Sequence, residues 1–497
     1  MKPFTNLLLI VFLLTLIWGC NEDFTVEPQR YGAVSGQVID KKTGRFVSKA
    51  VVRLSPSGRI TKTDTTGHFR MDTIAVGKYT LQATKEGYQD RSETVDLTQS
   101  MTATTVIYLA YNDRAPTEPM LVRPASEAKA VPTTTTLMWK STDPDNDPLT
   151  YDITLIREGS TDAPQVFSGI KADSLVVKGL LYGTTYTWQV KVSDGSNNVN
   201  GKTWRFRTME FPDFAYVYAK KINSRYQIFT SNGTSEEIQL TTEGSNWRPV
   251  VSPDRKRIAF ISNAQTDLHI YLMNRDGSEL HRLTSTPVAG IMPLDLSFCW
   301  SPDGTQLLYP SNNRLYAIGT DGNGLRLVSE LATGYFFAGC DWTSQGNRIA
   351  ARLTSYSVYD NRIVLMSPSG KDTTTVYRRK SNRMSNPVFS VDGTRLLFAT
   401  DYGSLQDWQG RQLDSQLLLY DIARKTTTNL SAGTSTATGY KEAGTNDLEP
   451  RFSPNGARII FTNADNTGTG AVQLMTMDAD GKNRKLLIAK AEMPFWK

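Results

Sequence analysis

Side chains that commonly carry catalysis are scarce in this chain and lie far apart. Its 497 residues include three histidines and three cysteines. A histidine acts as a general base or a metal ligand only beside its partner groups, so a cluster would be the informative pattern. His68 falls in a predicted β-turn, and His269 and His281 fall in a third strand and an edge strand of one repeat unit. We therefore expect all three histidines to be structural.

Motifs for a nucleophile are absent from the sequence as well. No G-x-S-x-G elbow occurs, and Cys299 and Cys340 lack the C-x-x-C spacing of a zinc site. These cysteines fall near equivalent places in successive repeats, so a disulfide stays open beside the expected state of two buried free thiols. With 49 acidic residues, a catalytic carboxylate pair also stays open. We expect no catalytic residue, no metal and no cofactor, and hence a protein that is not an enzyme.

The acidic triplet Asp143, Asp145 and Asp147 could in principle hold a cation. Carboxylates at alternate positions can converge on calcium. An EF-hand loop counted from Asp143 needs Gly at its sixth position and Glu at its twelfth, where the chain has Pro148 and Thr154. The triplet therefore predicts a solvated turn, with calcium as the alternative.

The amino terminus has the pattern of an export signal. Lys2 precedes an apolar run at 7–18 that is too short to span a bilayer, and Cys20 follows closely. The end of this run resembles a bacterial lipobox, in which the cysteine thiol accepts diacylglycerol. The resemblance implies a signal peptide at 1–19, lipidation of Cys20 and a lipidated linker at 20–30. An uncleaved anchor or an ordinary signal peptide is the alternative.

Two further features bear on location and partners. Asn21, Glu22 and Asp23 resemble the acidic tag that directs lipoproteins of Bacteroidetes-type bacteria to the cell surface. The expected location is the outer membrane, with either the cell surface or the periplasmic face as the side that carries the protein. The net charge is +6, and the basic residues are scattered through turns and strand edges. This distribution predicts no nucleic-acid partner.

Residues 31–111 alternate apolar and polar side chains in short runs separated by glycines. This pattern predicts consecutive strands with tight turns, and hence a β-sandwich. The segments 36–40, 43–44, 50–52, 67–69, 77–79 and 87–88 resemble a carboxypeptidase regulatory-like domain. That resemblance implies a transthyretin-like sandwich without catalytic residues. Around Phe46 the chain lacks a proline that is usual in the family, which affects a turn only.

Residues 112–209 begin with a proline-rich connector and then resemble a fibronectin type III domain. The resemblance rests on the segments 137–139, 143–145, 149–151, 183–188 and 192–195. Tyr186 stands where such sandwiches place a tyrosine corner. A second small β-sandwich is therefore predicted.

From residue 213 onward one unit recurs, made of an aromatic strand, a turn and three more strands. Five copies of its first hairpin are complete, at 250–254, 299–304, 341–346, 388–393 and 451–456. An Asp-Gly or Asn-Gly pair in several of these turns favours a tight hairpin. Four antiparallel strands make one blade of a β-propeller. The units resemble the PD40 (WD40-like) repeats of TolB-like propellers, which identify a fold without naming a function.

The sixth unit is predicted to be split between the two ends of the repeat region. Residues 214–241 carry three strands without an aromatic inner strand, while Phe495 and Trp496 lie in an aromatic segment at the other end. Pairing between these segments would close the ring and leave no unpaired edge there. The predicted fold is thus all-β, with two small β-sandwiches followed by a six-bladed propeller at 213–497 closed by the C-terminal strand.

Strand direction alternates within a blade, so the short turns share one face of the ring and the longer irregular segments share the other. Enlarged loops on one face commonly mark a binding face. Aromatic side chains with polar neighbours fit a protein or glycan surface, although single residues could instead pack against the blades. The predicted binding face comprises Trp247, Tyr335, Tyr356, Tyr359, Trp408, Arg411, Tyr440 and Lys441.

These features predict a non-enzymatic lipoprotein of the cell envelope. The propeller would be a binding head for an envelope protein or glycan, and the two sandwiches would act as a stalk or spacer. The protein would reach the membrane through the lipid on Cys20, and we expect a monomer. Two other functions stay open: an accessory subunit of an envelope secretion or peptidoglycan-linked machine, and a carbohydrate-active propeller enzyme.

Overall fold

The computed structural model describes residues 30–233, 236–403, 406–432 and 441–497. The predicted leader, Cys20 and all of the predicted linker except residue 30 lie outside these ranges. Regular structure in the described part is β-strand apart from one 3-10 turn, Pro293–Asp295. No helix there is long and apolar enough to cross a membrane.

The described residues form two compact units. One runs up to Leu180 and adds Thr184–Thr208, and the other comprises Leu181–Gly183 and Met209–Lys497. The first unit contains two β-sandwiches that follow one another in the chain. The second unit contains the repeats.

The first sandwich buries its core between two sheets. Its strands are β1 (Tyr31–Asp40), β2 (Val51–Ser55), β3 (Arg59–Lys62), β4 (His68–Ala75), β5 (Gly77–Thr84), β6 (Arg91–Leu97) and β7 (Thr102–Leu109). The sheet orders are β4-β1-β7 and β3-β2-β5-β6. Alternate side chains such as Val38, Leu54 and Leu81 lie between the sheets with no exposed surface. The alternating pattern in the sequence is therefore a two-layer core.

The second sandwich has a core rich in tryptophan. Its strands are β8 (Met120–Arg123), β9 (Ala128–Val131), β10 (Thr135–Lys140), β11 (Thr150–Arg157), β12 (Gln165–Ile170), β13 (Ser174–Val177), β14 (Thr185–Ser193) and β15 (Asn198–Thr208). The sheet orders are β13-β10-β8 and β12-β11-β14-β15-β9. Trp139 and Trp188 are buried between the sheets, and Tyr186 stacks on Phe206 with ring centroids 5.7 Å apart.

The second unit is a ring of six four-stranded antiparallel sheets, as predicted. We label the blades A to F. Blade A is β16 (Tyr216–Ile222), β17 (Arg225–Ser231), β18 (Glu237–Gln239) and β39 (Glu492–Trp496); blade B is β19 (Asn246–Val251), β20 (Arg257–Ser262), β21 (His269–Asn274) and β22 (His281–Arg282); blade C is β23 (Cys299–Trp300), β24 (Gln306–Ser311), β25 (Arg314–Gly319) and β26 (Arg326–Glu330).

The other three blades follow in chain order. Blade D is β27 (Tyr335–Thr343), β28 (Arg348–Ser355), β29 (Asn361–Met366) and β30 (Thr374–Arg379); blade E is β31 (Val388–Phe389), β32 (Arg395–Asp401), β33 (Ser415–Asp421) and β34 (Thr426–Asn429); blade F is β35 (Thr445–Phe452), β36 (Arg458–Asp465), β37 (Val472–Asp478) and β38 (Lys485–Ala489). The inner strands β39, β19, β23, β27, β31 and β35 lie around the axis of the ring, and most of them contact the inner strand of the next blade.

One hydrogen-bond pattern shapes the turn at the end of the inner strands. In blade C, Ser301 Oγ donates to Asp303 Oδ1 at 2.6 Å and accepts from the Gln306 amide at 2.9 Å. Gly304 adopts φ of 70° in this turn, a conformation that favours glycine. The same serine bonds recur in blades B, E and F. A serine at this position, followed by proline in three of these four blades, therefore encodes the same local turn in four of the six blades, and we call the turns that follow the inner strands the Ser-Pro turns.

Inner strands are also joined across blade boundaries. Trp300 Nε1 donates to the Val250 carbonyl of the preceding blade at 3.1 Å, and Trp496 Nε1 donates to the Arg451 carbonyl at 3.3 Å. Cys299 and Cys340 are buried free cysteines from adjacent blades whose Sγ atoms lie 3.1 Å apart. Burial raises the pKa of the Cys299 thiol well above its usual value, so it resists ionisation.

The ring is closed by β39, which pairs antiparallel with β16. Trp496 lies opposite Tyr216 and Phe495 lies opposite Val217. The rings of Tyr216 and Trp496 are 5.1 Å apart between centroids. The predicted closure by Phe495 and Trp496 is confirmed, since the sheet order of blade A is β18-β17-β16-β39.

Glu492 at the start of β39 is the charged group in this closure. Its Oε2 accepts a hydrogen bond from Tyr226 Oη at 3.2 Å. Burial, and then the negative charge of Glu449, raise the pKa of Glu492 to about 7 against the opposing positive charges of Lys221 and Arg248. The closing strand therefore carries a carboxyl group that titrates near neutral pH.

Removal of residues 492–497 should lower the melting temperature of the propeller by about 10 °C or more, because blade A loses its inner strand and the ring loses its closure. Differential scanning calorimetry measures the effect. Trp496→Ala should give a smaller decrease, and Trp408→Ala is the matched control, since this tryptophan is 90% exposed. An unchanged melt of the truncated protein would contradict closure by β39.

Glu492→Gln should stabilise the protein at pH 8 and not at pH 5. The ordinary pKa of a glutamate is 4.5, so the folded protein binds more protons than the unfolded chain between about pH 4.5 and 7, and the stability linked to Glu492 falls as the pH rises through that window. Glutamine removes the fall, with a gain of about 1 to 2 kcal/mol at pH 8 by chemical denaturation.

Glu237→Gln is the control of opposite sign. Glu237 accepts hydrogen bonds from Lys220 at 2.6 Å and from Tyr218 at 2.8 Å, and these bonds outweigh its burial and hold its pKa below the usual value. Its loss should destabilise the protein at pH 8. The same gain for Glu492→Gln at both pH values would show that Glu492 does not titrate between them.

Candidate functional site

The face of the ring away from the Ser-Pro turns is enlarged in three neighbouring blades. The segments between second and third strands lie there, at 356–360 in blade D, 402–403 and 406–414 in blade E and 466–471 in blade F. Tyr359 Oη donates to the Asp407 carbonyl at 2.7 Å, and Arg411 Nη1 donates to the Thr467 carbonyl at 2.7 Å. These bonds cross two blade boundaries. Residues 356–360, 406–414 and 466–471 thus form one connected surface, which we call the platform.

Asp407 organises the central hairpin of the platform. Its Oδ1 accepts from the amides of Gln409 and Arg411 at 2.8 and 3.1 Å, and its Oδ2 accepts from the Arg411 guanidinium at 3.0 and 2.7 Å. The Arg411 hydrogen bond, as the largest cause, holds the pKa of Asp407 below its usual value. The hairpin backbone around Trp408 is therefore held by a charged side-chain network.

Two large aromatic side chains on the platform are exposed. Trp408 is 90% exposed and Tyr356 is 73% exposed. Phe336 packs edge-on against Tyr356 with ring centroids 5.1 Å apart, and the Arg362 guanidinium lies 4.2 Å from the centroid of the Tyr335 ring. An apolar surface of this kind on a backbone held by hydrogen bonds is typical of a contact site.

The structure corrects three residues of the predicted binding face. Trp247 lies on β19, the inner strand of blade B, and is only 3% exposed. Its side chain packs in the hydrophobic core that blade B shares with the neighbouring blades. Tyr359 is 8% exposed, and its hydroxyl donates a hydrogen bond to the Asp407 carbonyl. The Lys441 side chain is 6% exposed and lies 2.6 Å from Asp414. All three side chains are therefore buried within the protein and are not part of an exposed binding surface.

The other predicted residues have different outcomes. Tyr335, Tyr356, Trp408 and Arg411 lie on the enlarged face, with Tyr335 and Arg411 partly engaged in contacts within the protein. Tyr440 lies outside the described residues. A binding role for the exposed set stays a prediction.

Buried ion pairs lie nearer the enlarged face, where the inner strands begin, and the sequence analysis missed them. Arg248 Nη2 lies 2.6 Å from Glu449 Oε1, and these side chains are 10% and 15% exposed. Arg383 forms an ion pair with Asp295, and Arg352 lies 3.8 Å from the same carboxylate. We call these five residues the ion cluster.

The ion cluster closes this end of the ring axis. Burial alone would raise the pKa of Asp295, but the charges of Arg383, Arg352 and Arg248 hold it below its usual value. Burial lowers the pKa of Arg352 to about 10, so this guanidinium stays charged at neutral pH. A cavity of only about 10 Å³ remains beside Asp295 and Arg352. The charges satisfy one another and leave room for little more than one water molecule.

Candidate catalytic side chains do not converge in the part of the chain that the structure describes. His269 is buried with Nδ1 3.2 Å from Thr284 Oγ1, and burial lowers its pKa. His281 is exposed with Nδ1 2.7 Å from the Glu279 carbonyl, and His68 Nε2 lies 2.9 Å from Ser35 Oγ. No group of three or more His, Cys, Asp or Glu among the described residues could hold a metal ion.

The acidic triplet forms a turn with separate partners. Asp143 Oδ1 accepts from the amides of Asp145 and Asp147 at 2.8 and 3.0 Å. The Asp145 carboxylate lies 2.6 Å from Arg114, and that of Asp147 lies 3.1 Å from Lys42. The hydrogen bond from Arg114 is the main cause that holds the pKa of Asp145 below its usual value. The carboxylates diverge toward cations of the protein itself.

Two family models match the chain. One, described as TolB beta propeller domain (PD40), matches residues 185–420, and the other, described as carboxypeptidase regulatory-like domain, matches residues 33–110. The PD40 match begins in β14 and ends in β33. No curated protein matches the chain.

Several solved structures are similar to this chain. TolB from Acinetobacter baumannii is 16% identical, with 64% of this chain and 80% of that chain covered and a TM-score of 0.43. A putative TolB from Agrobacterium tumefaciens is 17% identical, with 56% and 90% covered and a TM-score of 0.39. Oligogalacturonate lyase from Vibrio parahaemolyticus is 13% identical, with 53% and 85% covered and a TM-score of 0.33.

The residue ranges of the two family matches correspond to two parts of the observed fold. The 33–110 match coincides with β1 to β7, and most of the PD40 match lies in blades A to E. The chain therefore contains a carboxypeptidase regulatory-like domain and a TolB-like PD40 β-propeller domain.

Proposed function

We propose that this chain is a non-enzymatic lipoprotein of the cell envelope whose propeller binds a protein or glycan partner through the platform. The observation that carries the proposal is the exposure of Trp408 and Tyr356 on hairpins that hydrogen bonds hold together. Binding would cost little ordering of the platform backbone, because that backbone is already held.

The energetics of Trp408 favour a partner contact. A tryptophan side chain can bury roughly 200 Å² in an interface, and at about 25 cal/mol per Å² this contributes on the order of 5 kcal/mol before other costs. Tyrosine adds an apolar ring with a polar end, which suits both protein surfaces and sugar rings. Arg411 lies beside Trp408 and remains 40% exposed, so it offers a charged group at the rim.

The anchor is the second part of the proposal. A cysteine after a short apolar run supports lipidation of Cys20 and retention at the outer membrane. The two sandwiches then lie between the anchor and the propeller in the chain, as a spacer would. We propose a monomer that presents the platform to an envelope partner.

Trp408→Ala combined with Tyr356→Ala should reduce recovery of the partner at least about 10-fold, because both exposed rings leave the interface. Crosslinking in cells that express the tagged full chain, followed by pull-down and mass spectrometry, measures the enrichment. Leu327→Ala with Leu486→Ala is the matched control, since these side chains are 48% and 55% exposed on edge strands. Equal enrichment by the platform variant and the wild type would refute a role for the platform.

Cys20→Ser should abolish incorporation of labelled palmitate and move the protein from the membrane fraction to the soluble fraction. The thiol at this position is the acceptor that the lipobox resemblance implies. Cys299→Ala is the control, because this cysteine is buried in the ring and should not affect labelling. A wild-type protein that takes up no label would overturn the anchor and leave the platform proposal to be judged by its own test.

A further inference from the structure

A cavity of about 330 Å³ opens on the axis of the ring at the face of the Ser-Pro turns. It is lined by the ends of inner strands and the turns that follow them, so it lies at the end of the axis away from the platform and the ion cluster. Its size falls at the lower end of the range for small-molecule sites, which is roughly 300 to 1,000 Å³. Aromatic side chains from four blades form its walls, among them Trp342, Phe389, Phe452 and Phe495.

Two opposite charges face this cavity. Arg451 comes from β35 and Asp341 from β27. The Arg451 guanidinium makes no hydrogen bond or ion pair with any residue that the structure describes, and it lies 5.4 Å from the centroid of the Phe495 ring. Asp341 Oδ2 accepts one hydrogen bond, from the Phe389 amide at 2.7 Å. Both groups are therefore available to a molecule in the cavity.

The fold itself does not require these charges. Relative to the serine or threonine of each turn, the equivalent inner-strand positions in blades B, C and E carry Val250, Cys299 and Val388. In blade A the equivalent residue is Phe495, because Trp496 donates to the preceding blade as Trp300 does. Four apolar residues thus serve at the same place in the repeat. Arg451 is partly exposed to the cavity, and a partly desolvated guanidinium without a partner is unfavourable, so an arginine at this position needs a reason beyond packing.

The pKa shifts of Arg451 and Asp341 are those of charged groups that lack a close partner. Burial lowers the pKa of Arg451 and raises the pKa of Asp341, and each charge partly offsets the effect on the other. The arginines of the ion cluster, in contrast, have carboxylate partners within contact distance. An anion beside Arg451 and a cation beside Asp341 would complete the axial cavity in the same way.

We propose that the axial cavity binds a free α-amino acid with a large apolar side chain. The carboxylate pairs with the Arg451 guanidinium, which can hold it with two parallel hydrogen bonds. The α-ammonium group faces Asp341. The apolar side chain lies against the aromatic walls. Arg255 and Lys497 line the same cavity and add positive charge to its wall, which favours a ligand with a carboxylate.

The test uses the purified full chain and three probes that differ by one group. L-Phenylalanine has both charges, phenylacetate lacks the ammonium group and phenethylamine lacks the carboxylate. Isothermal titration calorimetry should give the order phenylalanine, then phenylacetate, then phenethylamine, with phenylalanine binding below about 5 mM. Failure of phenylalanine to bind, or binding of phenethylamine as tight as that of phenylalanine, overturns the proposal.

Variants at Arg451 and Asp341 should change the affinity for phenylacetate in opposite directions. Arg451→Met should weaken phenylalanine and phenylacetate at least about 10-fold, and Arg451→Lys should weaken both by less, because it keeps the charge and loses the fork. Asp341→Asn should weaken phenylalanine and strengthen phenylacetate, because it removes a negative charge. Arg326→Met, an exposed substitution on β26, should leave both affinities unchanged.

Stability separates binding from a structural role. Arg451→Met should melt at least as high as the wild type, because a partly desolvated guanidinium without a partner in the protein is replaced by an apolar chain of similar length. If it fails to fold, the Asp341→Asn and Arg451→Lys variants decide the question. Unchanged affinity of phenylalanine in both of these variants refutes the site. The platform proposal is tested by partner recovery and does not depend on this result.

Discussion

Closure of the ring is the constraint on which the rest of the propeller depends. The sheet of each blade packs against the sheets of its two neighbours, so the last of these interfaces forms only when β39 joins β16. The closing strand β39 then contacts both blade A, to which it belongs, and the preceding blade F. Trp496 donates to the Arg451 carbonyl in blade F, and Tyr226 in blade A donates to Glu492. Strands distant in sequence thereby hold the inner strands around one axis.

The inner strands present different chemistry at their two ends. At their beginning, Arg248, Glu449, Asp295, Arg352 and Arg383 satisfy one another and leave almost no free volume. At their end, Arg451 and Asp341 face a cavity of about 330 Å³ without pairing with each other. Buried charge is tolerated where partners compensate for lost hydration. The two ends thus differ in whether the protein itself supplies those partners.

Much of the fold could be predicted because it rests on local signals. The Ser-Pro turns and the apolar alternation can each be recognised within short segments, and the split sixth unit follows from comparing the repeats. The structure confirms the ring and its closure. The face carrying the long hairpins also follows from strand direction alone. Exposure of single side chains does not, because it depends on which way a residue points and on contacts across blades. Trp247 and Tyr359 lie in the predicted regions and are nevertheless buried.

The ion cluster had no signal in the sequence, whereas the axial charges had one in the comparison of the repeats. Arg383 and Asp295 are 88 positions apart, so no spacing rule relates them. Arg451 and Asp341 interrupt a position that is apolar in four other blades, and aligning the repeats by their turn residues would have shown this departure. Departures from a repeat are informative, since packing explains the common residue and leaves the exception unexplained.

The two ends of the axis are joined through one strand. Glu449 and Arg451 are two positions apart on β35, and Glu449 adopts φ of 55° at an irregularity in the pairing with β36. The charges of Arg248 and Glu449 both act on Arg451, with the Arg248 charge opposing its protonation. An anion at Arg451 would offset that repulsion, because its negative charge would lie close to the guanidinium. The chemistry of the axial cavity is therefore set in part by charges of the ion cluster, through the strand that both share.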